Sequence, residues 1–122
     1  MTPQPTIALV AILHDLIVAL CRREAADLTA RQFAVFLTCY RIQGSHTVRG
    51  LAAHLNVHKP AITRAMKKLV ELDLICRADD PSDGRSVLAM RTLKGTAFFL
   101  EITEIMGLSS EAQSSRQTTN AT

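Results

Sequence analysis

A chain of 122 residues with 48% apolar side chains has room for one domain and one modest core. Aromatic residues make up only 4%, so that core is expected to be aliphatic, of the kind that suits helices packed on helices. The formal net charge is +3, an excess that means little until its position along the chain is considered.

Met1 to Pro5 is a polar start, and Ile7 to about Ala26 is predicted as the first helix. Ile7 to Cys21 is almost wholly apolar but too short to span a bilayer, and His14-Asp15 interrupts it, so no membrane is expected as a partner. A helix apolar around most of its circumference needs cover on more than one side. We therefore expect a homodimer, with Ile7, Leu9, Val10, Leu13, Leu16, Ile17 and Leu20 as one buried surface. Phe98, Phe99, Ile102 and Met106 are expected to form the complementary one.

Thr29 is followed three positions later by Gln32, the capping-box pattern that opens a second helix, with Phe33, Phe36, Leu37 and Tyr40 at helical spacing. Gly44-Ser45-His46 breaks it. Thr47 caps a short third helix with Val48, Leu51, Ala52 and Leu55 on one face, and Asn56-Val57 forms a turn. A fourth helix starts at His58 or Lys59, with Pro60 in its first turn, where a missing N–H is harmless. At about 100° per residue, Ile62, Ala65, Met66, Leu69 and Leu72 share one face, while Pro60, Thr63, Arg64, Lys67, Lys68 and Glu71 share the other. Leu74–Ala78 and Ser86–Arg91 read as two strands around an Asp79–Gly84 turn rich in Pro, Ser, Asp and Gly. Thr92 caps a last helix through Met106, and the Ser-, Thr- and Gln-rich residues from 109 to 122 are expected to form a disordered tail.

The charges are not spread evenly. No Asp or Glu lies between Leu28 and Val70, a stretch that holds Arg31, Arg41, Arg49, Lys59, Arg64, Lys67 and Lys68. Such a block of one sign attracts a polyanion. A helix-turn-helix with a basic second helix, followed by a hairpin tipped with an arginine, has the layout of a winged-helix reader of double-stranded DNA.

The other chemistries have little to stand on. Cys21, Cys39 and Cys76 cannot all pair and form no CxxC; without a basic n-region at the start, reduced thiols in the cytoplasm are the expectation. Each lies in an apolar stretch and is expected to be a small buried hydrophobe, with Cys21 and Cys39 the candidates for a redox sensor. His54 and His58 straddle the inter-helix turn and share no helix face, so no metal is assigned to them or to His46. No nucleophile–base pair, paired carboxylates or Gly-rich phosphate loop points to an enzyme, and no cofactor is expected.

Four segments together resemble the multiple-antibiotic-resistance regulator (MarR) family of transcription factors: Leu28-Thr29-Ala30-Arg31-Gln32-Phe33, Val57-His58-Lys59-Pro60-Ala61-Ile62-Thr63-Arg64, Asp80-Pro81-Ser82-Asp83-Gly84-Arg85 and Thr92-Leu93-Lys94-Gly95. The chain departs from the family pattern at His58, where a small or acidic cap is usual, at Asp73, where a glycine is usual, and at Arg91, where an apolar residue is usual. Its terminal flanks are also short for the family. The resemblance implies a mainly α fold with a small β-ribbon, a winged helix-turn-helix over residues 28–91. Dimerisation helices would flank it at 1–27 and 92–108.

It further implies that Arg64 reads DNA, where an arginine can fork onto guanine O6 and N7. Thr63 would touch a thymine methyl or a phosphate. Lys59, Pro60, Lys67 and Lys68 would line the same surface, the lysines on phosphates, and Arg85 would enter a minor groove. Asp83 and Gly84 would support the wing, Asp83 by a hydrogen-bonded ion pair that braces the wing or Arg85. A homodimeric repressor on a pseudo-palindromic operator, with a small-molecule effector as a further partner, is the expected function. The alternative is a winged-helix protein-interaction module without ligand-regulated DNA binding, which Arg91 and the short flanks favour.

Overall fold

Helix α1 (Gln4–Cys21) ends where its apolar run ends, since Arg22, Arg23 and Glu24 have no apolar face to continue. A computed structural model describes residues 4–25 and 27–121, side chains at 4, 5 and 117–121 excepted. Part of the expected polar start (Met1–Pro3) and Ala26 lie outside the described residues. The first helix, expected from Ile7 to about Ala26, starts earlier, at Gln4, and stops earlier, at Cys21, with residues 22–25 no longer helical. The chain divides into a central unit, residues 28–99, and a terminal unit, residues 1–27 with 100–122. No described helix is long and apolar enough to cross a membrane.

In the central unit each helix starts on a side chain that the sequence supplies locally. Helix α2 (Ala30–Arg41) opens on a complete capping box: the Gln32 N–H donates to Thr29 Oγ1 at 3.1 Å and the Thr29 N–H donates to Gln32 Oε1 at 2.9 Å. Strand β1 (His46–Thr47) leads into helix α3 (Val48–Leu55), whose cap is Thr47, accepting from the Gly50 N–H at 3.0 Å. Asn56 closes α3 in the left-handed region, at φ 56°, where a short polar side chain is tolerated. Helix α4 (Lys59–Glu71) follows, with Pro60 in its first turn. Asp73 takes φ 59° after it, so the aspartate at the position where the resemblance implies glycine adopts the conformation glycine would.

Strands β2 (Ile75–Asp80) and β3 (Asp83–Arg91) form the hairpin, and helix α5 (Leu93–Ala121) begins at once after it. The sheet is three-stranded and antiparallel, in the order β1-β3-β2, rather than a two-stranded ribbon. His46 pairs with Ala89 and Thr47 with Leu88 on one side of β3, while Ile75 pairs with Arg91 and Ala78 with Leu88 on the other. A two-residue strand is too short to leave a periodic signal, which is why β1 is not legible in sequence.

The core of the central unit is built from Val35, Phe36 and Cys39 of α2, Leu51 of α3, Ile62, Ala65, Met66 and Leu69 of α4, and Ile75, Leu88 and Ala89 of the sheet. It is less purely aliphatic than the composition suggests, because all five aromatic residues gather in one place. Phe36 lies 4.5 Å from Tyr40 and 5.2 Å from Phe98, ring centre to ring centre; Phe33 also meets Phe98, and Tyr40 stacks on Phe99 at 5.8 Å. Phe98 and Phe99, expected on a dimer surface, make ring contacts with α2 inside this unit and are half-buried there.

One hydroxyl ties the unit together. Tyr40 Oη donates to the Leu74 carbonyl at 2.6 Å and accepts from the Thr92 N–H at 3.0 Å. Thr92 Oγ1 donates to the Asp73 carbonyl at 2.7 Å and accepts from the Gly95 N–H at 2.9 Å, which caps α5. Arg91 adds a clamp: Nε donates to the Cys39 carbonyl at 3.0 Å and Nη2 to the Tyr40 carbonyl at 3.3 Å.

In the terminal unit, Leu16 and Ile102 are buried. Asp15 accepts from the buried Ser109 hydroxyl at 2.6 Å, from Gln113 Nε2 at 3.5 Å and from His14 at 3.1 Å. The Ser109 bond, then the His14 bond, hold the Asp15 carboxyl below its usual range. Arg23 and Glu101 pair at 3.3 Å. The helix continues through Ala121, past Ser109, where the polar composition suggests disorder. The reason is that Ser109 and Gln113 turn their polar groups onto a carboxylate of α1, so burial here proceeds through hydrogen bonds instead of apolar contact.

Gly95 has no room for a side chain, since a Cβ there would collide with the Tyr40 hydroxyl and the Leu74 carbonyl, whereas one on Gly84 would meet nothing. Gly95→Ala is therefore expected to lower the unfolding free energy by about 1–3 kcal/mol. Gly84→Ala should stay within about 0.5 kcal/mol of the parent. Urea unfolding followed by circular dichroism measures both; equal stabilities would contradict the packing described.

Candidate nucleic-acid interface

The α3–turn–α4 segment presents a helix with two chemically opposite sides. Ala61, Ile62, Ala65, Met66 and Leu69 are buried against the rest of the central unit. Lys59, Pro60, Thr63, Arg64 and Lys67 are exposed, and Lys68 is half-buried. The helical period alone therefore brings five of the six expected contact residues onto open surface, with Lys68 at its margin. Ala61 joins the buried face, a position the sequence pattern does not assign to it.

Among the described residues none of Lys59, Arg64, Lys67, Lys68 or Arg85 forms an ion pair, so their charges are not neutralised inside the protein. Glu71, at the last turn of α4, is the one acid on the exposed side of that helix. His58 precedes α4 without any side-chain cap bond; its carbonyl instead accepts from the Ala61 and Ile62 N–H groups. The imidazole is exposed. No group of three or more metal-ligating side chains occurs among the described residues.

The wing is held by two aspartates. Asp80 Oδ1 accepts from the Ser82 N–H at 2.9 Å and from the Ser82 hydroxyl at 2.7 Å. These bonds, the hydroxyl's first, hold the Asp80 carboxyl below its usual range. Asp83 accepts from the Arg85 N–H at 3.0 Å and from Ser86 Oγ at 3.0 Å. The brace thus runs to the Arg85 backbone and not through the expected ion pair with the guanidinium. Because the two carboxylates supply the turn's bonds, the strands extend closer to the tip than expected, leaving Pro81-Ser82 between them. Gly84 lies within β3 and needs no left-handed backbone. Arg85 is exposed at the tip.

Two sequence expectations about the cysteines change. Cys39 is buried, and burial pushes its thiol up to about 11, which leaves almost no thiolate to react. Cys21 and Cys76 are exposed rather than buried. What sequence reasoning missed is the role of Arg91. Its partners, Cys39 and Tyr40, lie about fifty positions away, and no local pattern announces them.

Residues 28–87 match the MarR family. No curated protein matches the chain. Among solved structures, the transcriptional regulator Tm0710 from Thermotoga maritima is 22% identical, with a TM-score of 0.67 over 96% of this chain and 74% of that one. That likeness shows the fold. A MarR transcriptional regulator from Methanosarcina mazei Go1 is 27% identical, with a TM-score of 0.60 over 77% of this chain and 72% of that one. A mutant MarR from E. coli, solved in complex with operator DNA, is 25% identical, with a TM-score of 0.65 over 88% and 71%.

Proposed function

From the premise that this chain belongs, through residues 28–87, to the MarR family, we propose that it is a homodimeric transcriptional repressor that binds double-stranded DNA at a pseudo-palindromic operator. The observation that carries this reading is the unpaired cationic face of α4 beside an exposed arginine at the wing tip. The solved E. coli relative bound to operator DNA supports it. Two copies of α4 would enter successive major grooves about 34 Å apart, which is why a two-fold protein calls for a two-fold site.

Within that reading the side chains divide by chemistry. Arg64 forks onto a guanine and carries sequence information. Thr63 meets a thymine methyl or a phosphate, and Pro60 packs at the helix entry. Lys59, Lys67 and Lys68 neutralise phosphates, which positions the protein without specifying a sequence. Arg85 enters the minor groove, with Asp83 and Gly84 shaping the tip that presents it. No cofactor and no catalytic step are assigned. The protein works in the cytoplasm, and a small-molecule effector acts by favouring one spacing of the two reading heads over another. The competing reading, a protein-interaction module, draws part of its support from Arg91. That side chain has an internal task, on the carbonyls of α2, and so lends the alternative nothing.

Arg64→Ala is expected to cost about 1–3 kcal/mol on operator DNA and little on random duplex, whereas Lys68→Ala weakens both about equally. Fluorescence anisotropy on the two duplexes separates these effects; parallel losses for both variants would remove Arg64 from base reading.

The dimer rests on the terminal unit. Leu13 is 54% and Ile17 43% exposed, and Ile7, Leu9 and Val10 are exposed beside them. At about 25 cal/mol per Å² of apolar surface, covering such a row in a partner contributes several kcal/mol. Leu13→Glu is expected to convert the dimer to monomer in sedimentation equilibrium and to weaken operator binding with it. An unchanged mass, or a wild-type monomer at micromolar concentration, would contradict the dimer.

A further inference from the structure

We propose that Arg91 is the positioning residue of the wing: it fixes the angle at which the β2–β3 hairpin leaves the central unit, and so sets whether Arg85 reaches the DNA that α4 occupies. The inference rests on the DNA-binding reading above and assigns the residue that couples its two contact elements.

Arg91 is the last residue of β3, and Arg85 lies near the first. At about 3.3 Å per residue the two are roughly 20 Å apart along one strand, so a small rotation at the base moves the tip by several ångström. The middle of β3 is held by β1, but only through two pairs, His46 with Ala89 and Thr47 with Leu88. A ladder that short resists sliding and leaves the strand able to pivot about it. The base of the hairpin is also held at Leu74 and Thr92 through the Tyr40 hydroxyl, and the Arg91 guanidinium adds two bonds on β3 itself that restrain the pivot. Its Nε donates to the Cys39 carbonyl at 3.0 Å and its Nη2 to the Tyr40 carbonyl at 3.3 Å.

Those acceptors are well chosen. Cys39 and Tyr40 lie in the last turn of α2, where carbonyls have no helical N–H to meet and the helix dipole presents its negative end. The guanidinium also sits 5.5 Å from the centre of the Tyr40 ring, whose hydroxyl already holds Leu74 and Thr92. The clamp therefore joins the base of the wing to the same tyrosine that holds the exit of α4. An apolar side chain at this position would cover the ring but leave both carbonyls to water and the end of β3 held to α2 only through the Tyr40 hydroxyl. The planar fork makes two directed bonds that a lysine cannot reproduce.

The test uses the full chain and a labelled duplex enriched by the wild type from a random-sequence pool. Arg91→Leu is expected to weaken binding about tenfold, the scale of losing charge-assisted hydrogen bonds. In that background Arg85→Ala should cost less than about twofold more, although alone it costs much more, because a mispositioned tip has little left to lose. Arg91→Lys should fall between wild type and Arg91→Leu, and it serves in the same cycle with Arg85→Ala if the leucine variant does not fold. In the free protein, hydrogen exchange should quicken at the amides of residues 85–90 and stay unchanged in α4. Equal costs of Arg85→Ala in both backgrounds, or unchanged exchange in the hairpin, overturn the proposal alone. A wild type that enriches no duplex overturns the DNA-binding reading and this role of the wing together.

Discussion

The Tyr40 hydroxyl gives one hydrogen bond to Leu74 and takes one from Thr92, and both partners lie at the ends of elements that matter. Leu74 follows the turn that ends α4. Thr92 stands between β3 and α5, and its own hydroxyl reaches back to the Asp73 carbonyl in that same turn. Three chain segments that meet nowhere in sequence are thus held in register by two side-chain oxygens. The Tyr40–Leu74 bond at the centre of this junction is buried, where an unmade hydrogen bond costs more than a made one gains. Gly95 belongs to this junction because its missing side chain is the space the tyrosine occupies. This packing joins the exit of α4 to the base of the hairpin.

Around that junction the chain separates its tasks. Apolar side chains of α4 go inward and its cations face outward or lie at the margin, with no ion-pair partner among the described residues. Acids that would repel a polyanion are absent from the segment 28–70, and the two at the wing tip whose carboxylates accept hydrogen bonds are engaged in shaping the turn. Asp80 and Asp83 lie beside the exposed Arg85 with their oxygens taken up by N–H and O–H donors of the turn. The terminal unit shows the reverse arrangement. Much of its apolar surface remains exposed along α1, while Asp15 bonds Ser109 and Gln113 across its two segments beside the buried Leu16 and Ile102.

Local rules make much of this legible in the amino-acid sequence. Thr29 with Gln32, Thr47 and Thr92 are caps that depend on residues three positions away, so their helices start where the sequence places them. The two faces of α4 follow from its period, and Asp73 adopts the turn conformation its short side chain permits. What escapes is long-range or too short to be periodic. The partners of Arg91 lie across the unit, β1 is two residues long, and the gathering of all five aromatics needs the folded chain. The continuation of α5 beyond Ser109 escapes because composition weighs polarity and cannot see a carboxylate on another helix. Of the candidate site, exposure and charge are readable at each position, but the way Asp83 holds the tip is not.

The central claim is that the basic face of α4 meets the phosphates of duplex DNA, and the salt dependence of binding tests it most directly. Each neutralised phosphate contributes about −0.9 to the slope of log affinity against log salt, so a dimer using Lys59, Lys67 and Lys68 twice should give roughly −4 to −6. A slope in that range supports the account. A slope near zero, or no binding to duplex DNA at low salt, would contradict it.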